Sequence, residues 1–176
     1  MTFLRPQWTL PPANLNLSDQ DIHLWKTNLN VSKDTLSYLN TLLSKDEQER
    51  AQRFRFERDR SHFIAGRGTL RCILGRYLNC DPDQICFSYS PKGKPSLEAY
   101  AAAPQFSLSH SHGLALYGLT RDRAIGVDLE YYRPIGVESL AKSFFSAREF
   151  TLLQSLPAEQ QLATFFHLWT CKEAYL

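Results

Sequence analysis

Hydrophobic residues recur with two different periods along this chain. Residues 21–28 alternate polar and apolar side chains, the period of a half-buried strand. Over 32–40, Leu36 and Leu39 return at helical spacing, and Ser44 with Glu47 forms a Ser-x-x-Glu capping box that predicts a fresh helix reaching about Arg53. A longer helix is expected over 58–78, where Phe63, Leu70, Ile73, Leu74 and Tyr77 fall on one side. Gly66 and Gly68 interrupt it, which points to close packing or to close approach of a ligand. Asp81-Pro82 starts a turn, 84–89 reads as a short strand, and Ser90-Pro91-Lys92-Gly93-Lys94-Pro95 is a loop on turn chemistry alone. Three strand-like runs follow at 105–109, 114–120 and 124–132, and the short charged link Arg121-Asp122-Arg123 predicts an antiparallel hairpin of the last two. Ser146 with Glu149 repeats the capping box before a helix over 148–156, and a last helix starts near Ala158 with Phe165, Phe166 and Trp169 as its apolar stripe. Residues 1–20, polar and punctuated by Pro6, Pro11 and Pro12, read as an irregular arm.

The two halves echo one another. A strand precedes each capping box at a similar interval, and a longer helix follows each box. Two copies of one unit packed together would place a site at their seam, where ligand pockets are common. With 176 residues and 43% apolar content, the chain can build one sizeable core or two small ones. No apolar run approaches the roughly 20 residues needed to span a bilayer, and the start lacks the layout of a signal peptide, so a cytoplasmic protein is expected. Cys72, Cys80, Cys86 and Cys171 show no Cys-x-x-Cys spacing, which favours reduced structural thiols over bridges or a zinc site.

Net charge is +2, but it is unevenly spread. Arg50, Arg53, Arg55, Arg58, Arg60, Arg67, Arg71 and Arg76 crowd one stretch. Three readings fit: a solvated, ion-paired helix surface, an anionic ligand site, or a nucleic-acid surface. The last is weakest, because no RNA-binding aromatic motif or zinc-finger spacing accompanies the arginines. In Gly126-Val127-Asp128-Leu129-Glu130, strand alternation puts Asp128 and Glu130 on one face, with alpha carbons roughly 6 to 7 Å apart. Two carboxylates on one face suit a hard cation, and Glu173, one turn beyond Trp169, could deliver a third. His110 and His112 lack an acidic or cysteine partner nearby in sequence, which argues against a transition-metal site.

Five segments together resemble the phosphopantetheinyl transferases of the Sfp type. They are Gly93-Lys94-Pro95, Phe106-Ser107-Leu108-Ser109-His110-Ser111, Gly126-Val127-Asp128-Leu129-Glu130, Phe144-Phe145-Ser146-Ala147-Arg148-Glu149 and His167-Leu168-Trp169-Thr170-Cys171-Lys172-Glu173-Ala174. The resemblance covers nearly all of the chain after the arm. It implies an α+β fold that is a pseudo-dimer of two similar α+β halves, here 21–100 with the coenzyme A nucleotide-binding residues and 101–176 with a magnesium site. It also implies transfer of the phosphopantetheine arm of coenzyme A to a serine of an acyl or peptidyl carrier protein, with release of adenosine 3',5'-bisphosphate. By the same resemblance, Asp128, Glu130 and Glu173 hold Mg2+, Glu173 is the first candidate base and Glu149 the second, alongside its capping role. Ser109, His110, Arg50, Arg53 and Arg71 face coenzyme A phosphates, and Lys94 and Pro95 lie near the adenine. The family places a lysine four residues after the glutamate of its Trp-x-x-Lys-Glu motif, and Leu176 falls one residue short of that position. The second half is therefore expected to be truncated at its C-terminal end, with a coenzyme A or carrier-protein binding module without turnover as the alternative to an active enzyme. A monomer acting on coenzyme A and an acidic carrier protein, with neither nucleic acid nor membrane as a partner, completes the expectation.

Overall fold

The computed structural model describes residues 7–91, 93–97, 100 and 103–175. The first six residues of the expected arm, Lys92 of the expected loop and Leu176 lie outside them. The elements run β1 (His23–Asn28), α1 (Lys33–Thr41), α2 (Lys45–Gln52), α3 (Glu57–Leu78), a 3-10 turn (Pro82–Gln84), β2 (Ser88–Tyr89), β3 (Pro95–Ser96), β4 (Gln105–Ser111), β5 (Leu114–Thr120), α4 (Val137–Phe144), α5 (Ala147–Gln154) and α6 (Ala158–Tyr175). The α+β class is as expected.

β5 is the middle strand of an antiparallel sheet ordered β1-β5-β4, with His23 opposite Leu119 on one side and Phe106 opposite the same residue on the other. Alternation sends Ala115, Tyr117 and Leu119 to the face covered by α3, where all three are fully buried. The Tyr117 hydroxyl donates to the Gly66 carbonyl at 2.9 Å, so its polar tip is satisfied inside the core. Gly68 faces α1: a methyl group there would lie 2.7 Å from Leu39 Cβ. Gly68 therefore serves the close packing that its interruption of the helix suggested, whereas a methyl group on Gly66 would meet only Leu29 Cδ2 at 3.6 Å and the Tyr117 hydroxyl at 3.9 Å.

The hairpin partner of β5 is β4 and not 124–132. The connecting residues His112 and Gly113 both have positive φ, 50° and 80°, the geometry of a two-residue turn that matches strand twist. Arg121-Asp122-Arg123 instead leads the chain onto the other face of the sheet. There 124–132 forms no backbone ladder with a described strand. Its Val127, Leu129 and Tyr131 amides donate to the hydroxyls of Ser107, Ser109 and Ser111 at 3.3, 3.1 and 3.0 Å. Both sets step by two residues, so a row of serine side chains on β4 takes the place of ladder carbonyls. Gly118 on β5 leaves room for this layer, since a methyl group there would sit 2.6 Å from Val127 Cγ1.

Both capping boxes form: the Ser44 amide donates to Glu47 at 3.0 Å and the Ser146 amide to Glu149 at 2.7 Å. α4 was not expected, although Val137, Leu140, Ala141 and Phe144 recur at helical spacing and Ala141 is fully buried. With it, α4-α5-α6 repeats the order of α1-α2-α3, at lengths of 8, 8 and 18 residues against 9, 8 and 22. The expected strand 84–89 contracts to Ser88–Tyr89, paired with Pro95–Ser96 across the loop. Two cores result. The first gathers buried residues from Leu17 to Leu119 and the second from Ala141 to Phe166. β5 pairs with both β1 and β4, so residues 105–120 belong to the sheet and the first core.

Candidate active site

β4 is an edge strand, so side chains from both its faces border whatever lies beside it. A cleft of about 430 Å³ runs along that edge. β4 contributes Ser109 and His110, α3 contributes His62, Phe63, Gly66 and Arg67, and α2 adds Arg50. The turn between β2 and β3 adds Gly93, Lys94 and Pro95, held by Gly93 and Lys94 amide bonds to Ser90 of 2.8 and 3.1 Å. Asp128 and Glu173 complete the lining. Residues far apart in sequence thus meet at the seam between the first core and the 124–175 region.

That Asp128 and Glu173 line one cleft has a specific cause. A methyl group on Gly126 would overlap the carbonyl oxygen of Ala174, so only glycine lets the α6 backbone sit against this segment. Phe165 and Trp169 anchor the helix from its other side, with Phe165 stacked between Phe145 and Trp169 at centroid distances of 5.2 and 5.7 Å. Glu173 is exposed and Asp128 half-buried. Ser109 Oγ donates to Asp128 Oδ1 at 2.9 Å, while Oδ2 is buried and has no partner. A buried carboxylate oxygen left without a donor is costly unless something positive meets it. That oxygen suits a hard cation, which takes carboxylate oxygens, phosphate oxygens and water.

The three-carboxylate set is not assembled in this arrangement. Glu130 does not line the cleft, and among the described residues no group of three His, Cys, Asp or Glu side chains is close enough to hold a metal ion. Asp128 and Glu173 are the pair the fold brings together.

Arg71 requires a correction. It is 1% exposed, its Nε donates to Glu47 Oε2 at 2.7 Å, and its NH1 donates to the carbonyls of Pro82 and Ile85 at 3.0 and 2.9 Å. That guanidinium is a tie inside the first core, not a ligand contact. Arg53 lies on a neighbouring cleft of about 570 Å³ that shares Arg50 and Gly93 with the first. Glu149 is likewise outside the cleft lining. Its carboxylate accepts from Lys172 Nζ at 2.8 Å and from the Ser146 amide and hydroxyl, and these donors, Lys172 foremost, hold its pKa down to about 2. Such a group is a poor proton acceptor, so the capping role is the one the structure supports. The expected phosphate-side pair Ser109 and His110, with Arg50, Lys94 and Pro95, does converge on the cleft.

His62 and Arg67 went unassigned in sequence. His62 Nε2 is 2.9 Å from Asn30 Oδ1, and burial, with Arg58 adding to it, pushes its pKa down. A signal for Arg67 was present: it directly follows Gly66, one of the two glycines that flag close approach on α3.

Comparison with known proteins agrees with this picture. Residues 25–119 match the family model for the N-terminal part of 4'-phosphopantetheinyl transferase, and 124–176 match that of the 4'-phosphopantetheinyl transferase superfamily. The break between the matches falls where the two cores divide. The chain is 49% identical over 176 residues to 4'-phosphopantetheinyl transferase HetI of Nostoc sp., covering 98% of this chain and 74% of that protein. It is 35% identical to 4'-phosphopantetheinyl transferase psf-1 of Bacillus pumilus and 30% identical to 4'-phosphopantetheinyl transferase Sfp of Bacillus subtilis. These alignments cover 82% and 83% of this chain but only 61% and 64% of the relatives. The chain belongs to the 4'-phosphopantetheinyl transferase superfamily, a family of transferase enzymes.

Proposed function

We propose that this protein transfers the phosphopantetheine arm of coenzyme A to a serine of an acyl or peptidyl carrier protein, in a reaction that depends on Mg2+. The observation that carries the reading is Asp128, whose Oδ2 is buried and unpartnered, on the wall of a cleft that Arg50, Arg67, Lys94 and His110 also line. Four basic side chains suit a ligand with several phosphates, and one bare carboxylate oxygen among them suits the cation that accompanies a diphosphate.

Asp128 and Glu173 would hold the ion, with Glu130 joining after a modest movement of its segment. When bound, Mg2+ offsets charge on the diphosphate and on its leaving oxygen. The remaining work falls to the protein. Ser109 fixes the Asp128 carboxylate through Oδ1, leaving Oδ2 for the ion. Ser109 and His110, at the strand edge, would orient the diphosphate, while Lys94 and Pro95 would border the adenine. Glu173, exposed at the cleft rim, would take the proton of the carrier serine as its Oγ bonds to the pantetheine-bearing phosphorus. The phosphoanhydride P–O bond then breaks, and adenosine 3',5'-bisphosphate leaves with the bonding electrons. Positioning and electrostatics dominate phosphoryl transfer of this kind, which matches a site built from charges and not from an activated nucleophile.

An acidic carrier protein would be drawn to the arginine-rich α2–α3 region, with an association rate that falls as salt rises. Among the described residues no helix is long and apolar enough to cross a membrane. The proposed reaction takes place in the cytoplasm and needs a single copy of the chain.

The test is Asp128→Ala, followed by mass spectrometry of the carrier. At least a hundredfold loss of carrier modification, with an unchanged circular-dichroism spectrum, is expected for removal of a group that meets the metal and diphosphate. Full modification by that variant would sink the assignment of the cleft. Coenzyme A binding by the unmutated chain with no transfer over hours would instead identify a binding module.

A further inference from the structure

We infer that the serine row of β4 sets the register of 124–132, and that Ser111 is a positioning residue that aims Glu130 at the cation as Ser109 aims Asp128. That role rests on the cation site of Asp128 and Glu173 proposed above. Ser107, Ser109 and Ser111 each accept the amide 20 positions further along the chain, from Val127, Leu129 and Tyr131. A hydroxyl that accepts in this way still has one hydrogen to donate. Ser109 gives its hydrogen to Asp128 Oδ1, 19 positions on, at 2.9 Å. The same step leads from Ser111 to Glu130 and from Ser107 to Gly126, which has no side chain to aim. Ser111 Oγ makes no hydrogen bond among the described residues beyond the Tyr131 amide, so its hydrogen is available for a carboxylate.

Such a mount is sensitive to register. A slip of one residue turns the amides away from the hydroxyls and exchanges Asp128 for an apolar neighbour. A slip of two keeps an amide on every serine, but it brings Ala124 or Asp128 against the Ala174 carbonyl, where even a methyl group on Gly126 would overlap. The serines therefore fix the phase of the segment, and Gly126 fixes its position along the row. Glu130 lies between two held amides, those of Leu129 and Tyr131. The Tyr131 ring is in turn stacked on His112 at 3.8 Å, and His112 is anchored by the β4–β5 turn at positive φ. The movement that brings Glu130 to the ion is thus local, and it ends beside a hydroxyl already in place. Hydrogen bonds of this kind orient a ligating carboxylate and raise the affinity of the ion it meets.

The experiment titrates Mn2+, standing in for Mg2+, in the presence of coenzyme A and reads the bound ion by electron paramagnetic resonance. It compares the unmutated chain with Ser107→Ala, Ser111→Ala, Ser111→Thr, Glu130→Gln and the Ser111→Ala, Glu130→Gln double variant. Ser111→Ala is expected to weaken Mn2+ binding roughly 10-fold, the usual effect of removing a hydrogen bond behind a ligating carboxylate. Ser111→Thr keeps the hydroxyl and should restore most of that loss. Ser107→Ala removes an amide acceptor with no carboxylate to aim, so thermal stability should fall while Mn2+ affinity holds. With Glu130→Gln already present, Ser111→Ala should cost less than about twofold, because two groups acting as a unit are not additive. Unchanged Mn2+ affinity in Ser111→Ala, equal losses in Ser107→Ala and Ser111→Ala, or an undiminished loss in the double variant each overturn the role of Ser111 and leave the cation site standing. Failure of the unmutated chain to bind Mn2+ with coenzyme A would remove the cation site and this role together.

Discussion

The two cores of this molecule are held by different means. The first, residues 17–119, wraps a sheet around α3 and gathers seventeen buried apolar side chains among the described residues, against five in the second. It also encloses an ion cluster, Glu47 with Arg67 and Arg71. The second core is a cluster of aromatic rings among three helices, with Phe145, Phe165 and Trp169 stacked and Phe166 edge-on to Phe165. It meets the sheet through 124–132, which lies on serine hydroxyls in place of a backbone ladder. The candidate site needs both regions. Its basic side comes from the first, and its carboxylates come from the layer and helix that belong to the second. The well-packed region presents the basic side chains of the cleft, and the more lightly held one brings Asp128 and Glu173 to it.

The comparison can be broken most forcefully at Arg71. Arg71→Met leaves the Glu47 carboxylate without its best partner, and such a loss in a fully buried pair costs about 3 to 5 kcal/mol. Urea denaturation should record that drop. Hydrogen exchange in the same variant should quicken throughout α3, and a change confined to α6 would contradict the division drawn here. Gly126→Ala strikes the join itself. Displacing α6 from Ala174 should cost about 1 to 3 kcal/mol, and coenzyme A affinity should fall because Glu173 and Asp128 part. A variant with undisturbed affinity would show that the carboxylates need not meet. The smallest effect concerns Glu149. Its pKa is depressed from 4.5 to about 2 in the folded protein, so its favourable contribution is present above about pH 4.5 and disappears as pH falls toward 2. Both partners are partly solvent-exposed, which limits the pair to roughly 0.5 kcal/mol at neutral pH. Urea midpoints of the unmutated chain and Glu149→Gln should therefore differ slightly at pH 7 and converge near pH 2.

Local signals carried much of the fold. Both capping boxes, the long α3 and the aromatic stripe of α6 were legible because helix starts and amphipathic periods are written within a few residues. α4 was missed, although its apolar residues Val137, Leu140, Ala141 and Phe144 recur at helical spacing. The motif residues Ser109, His110, Lys94, Asp128 and Glu173 were recognisable as a set, and the fold gathers them in one cleft.

What the sequence by itself determined was which residue types could serve a polyanion and its cation. Tertiary structure alone decided which of them stand together in one cleft. Arg67 and Arg71 are the same residue type one turn apart on one helix, yet Pro82, Ile85 and Glu47 consume Arg71 and leave a donor of Arg67 open. Residues 124–132 look like a strand, but their alternation does not say whether amides will meet backbone carbonyls or serine hydroxyls. The reason is common to both. Hydrogen-bond satisfaction depends on partners brought from distant parts of the chain, and no local period encodes them.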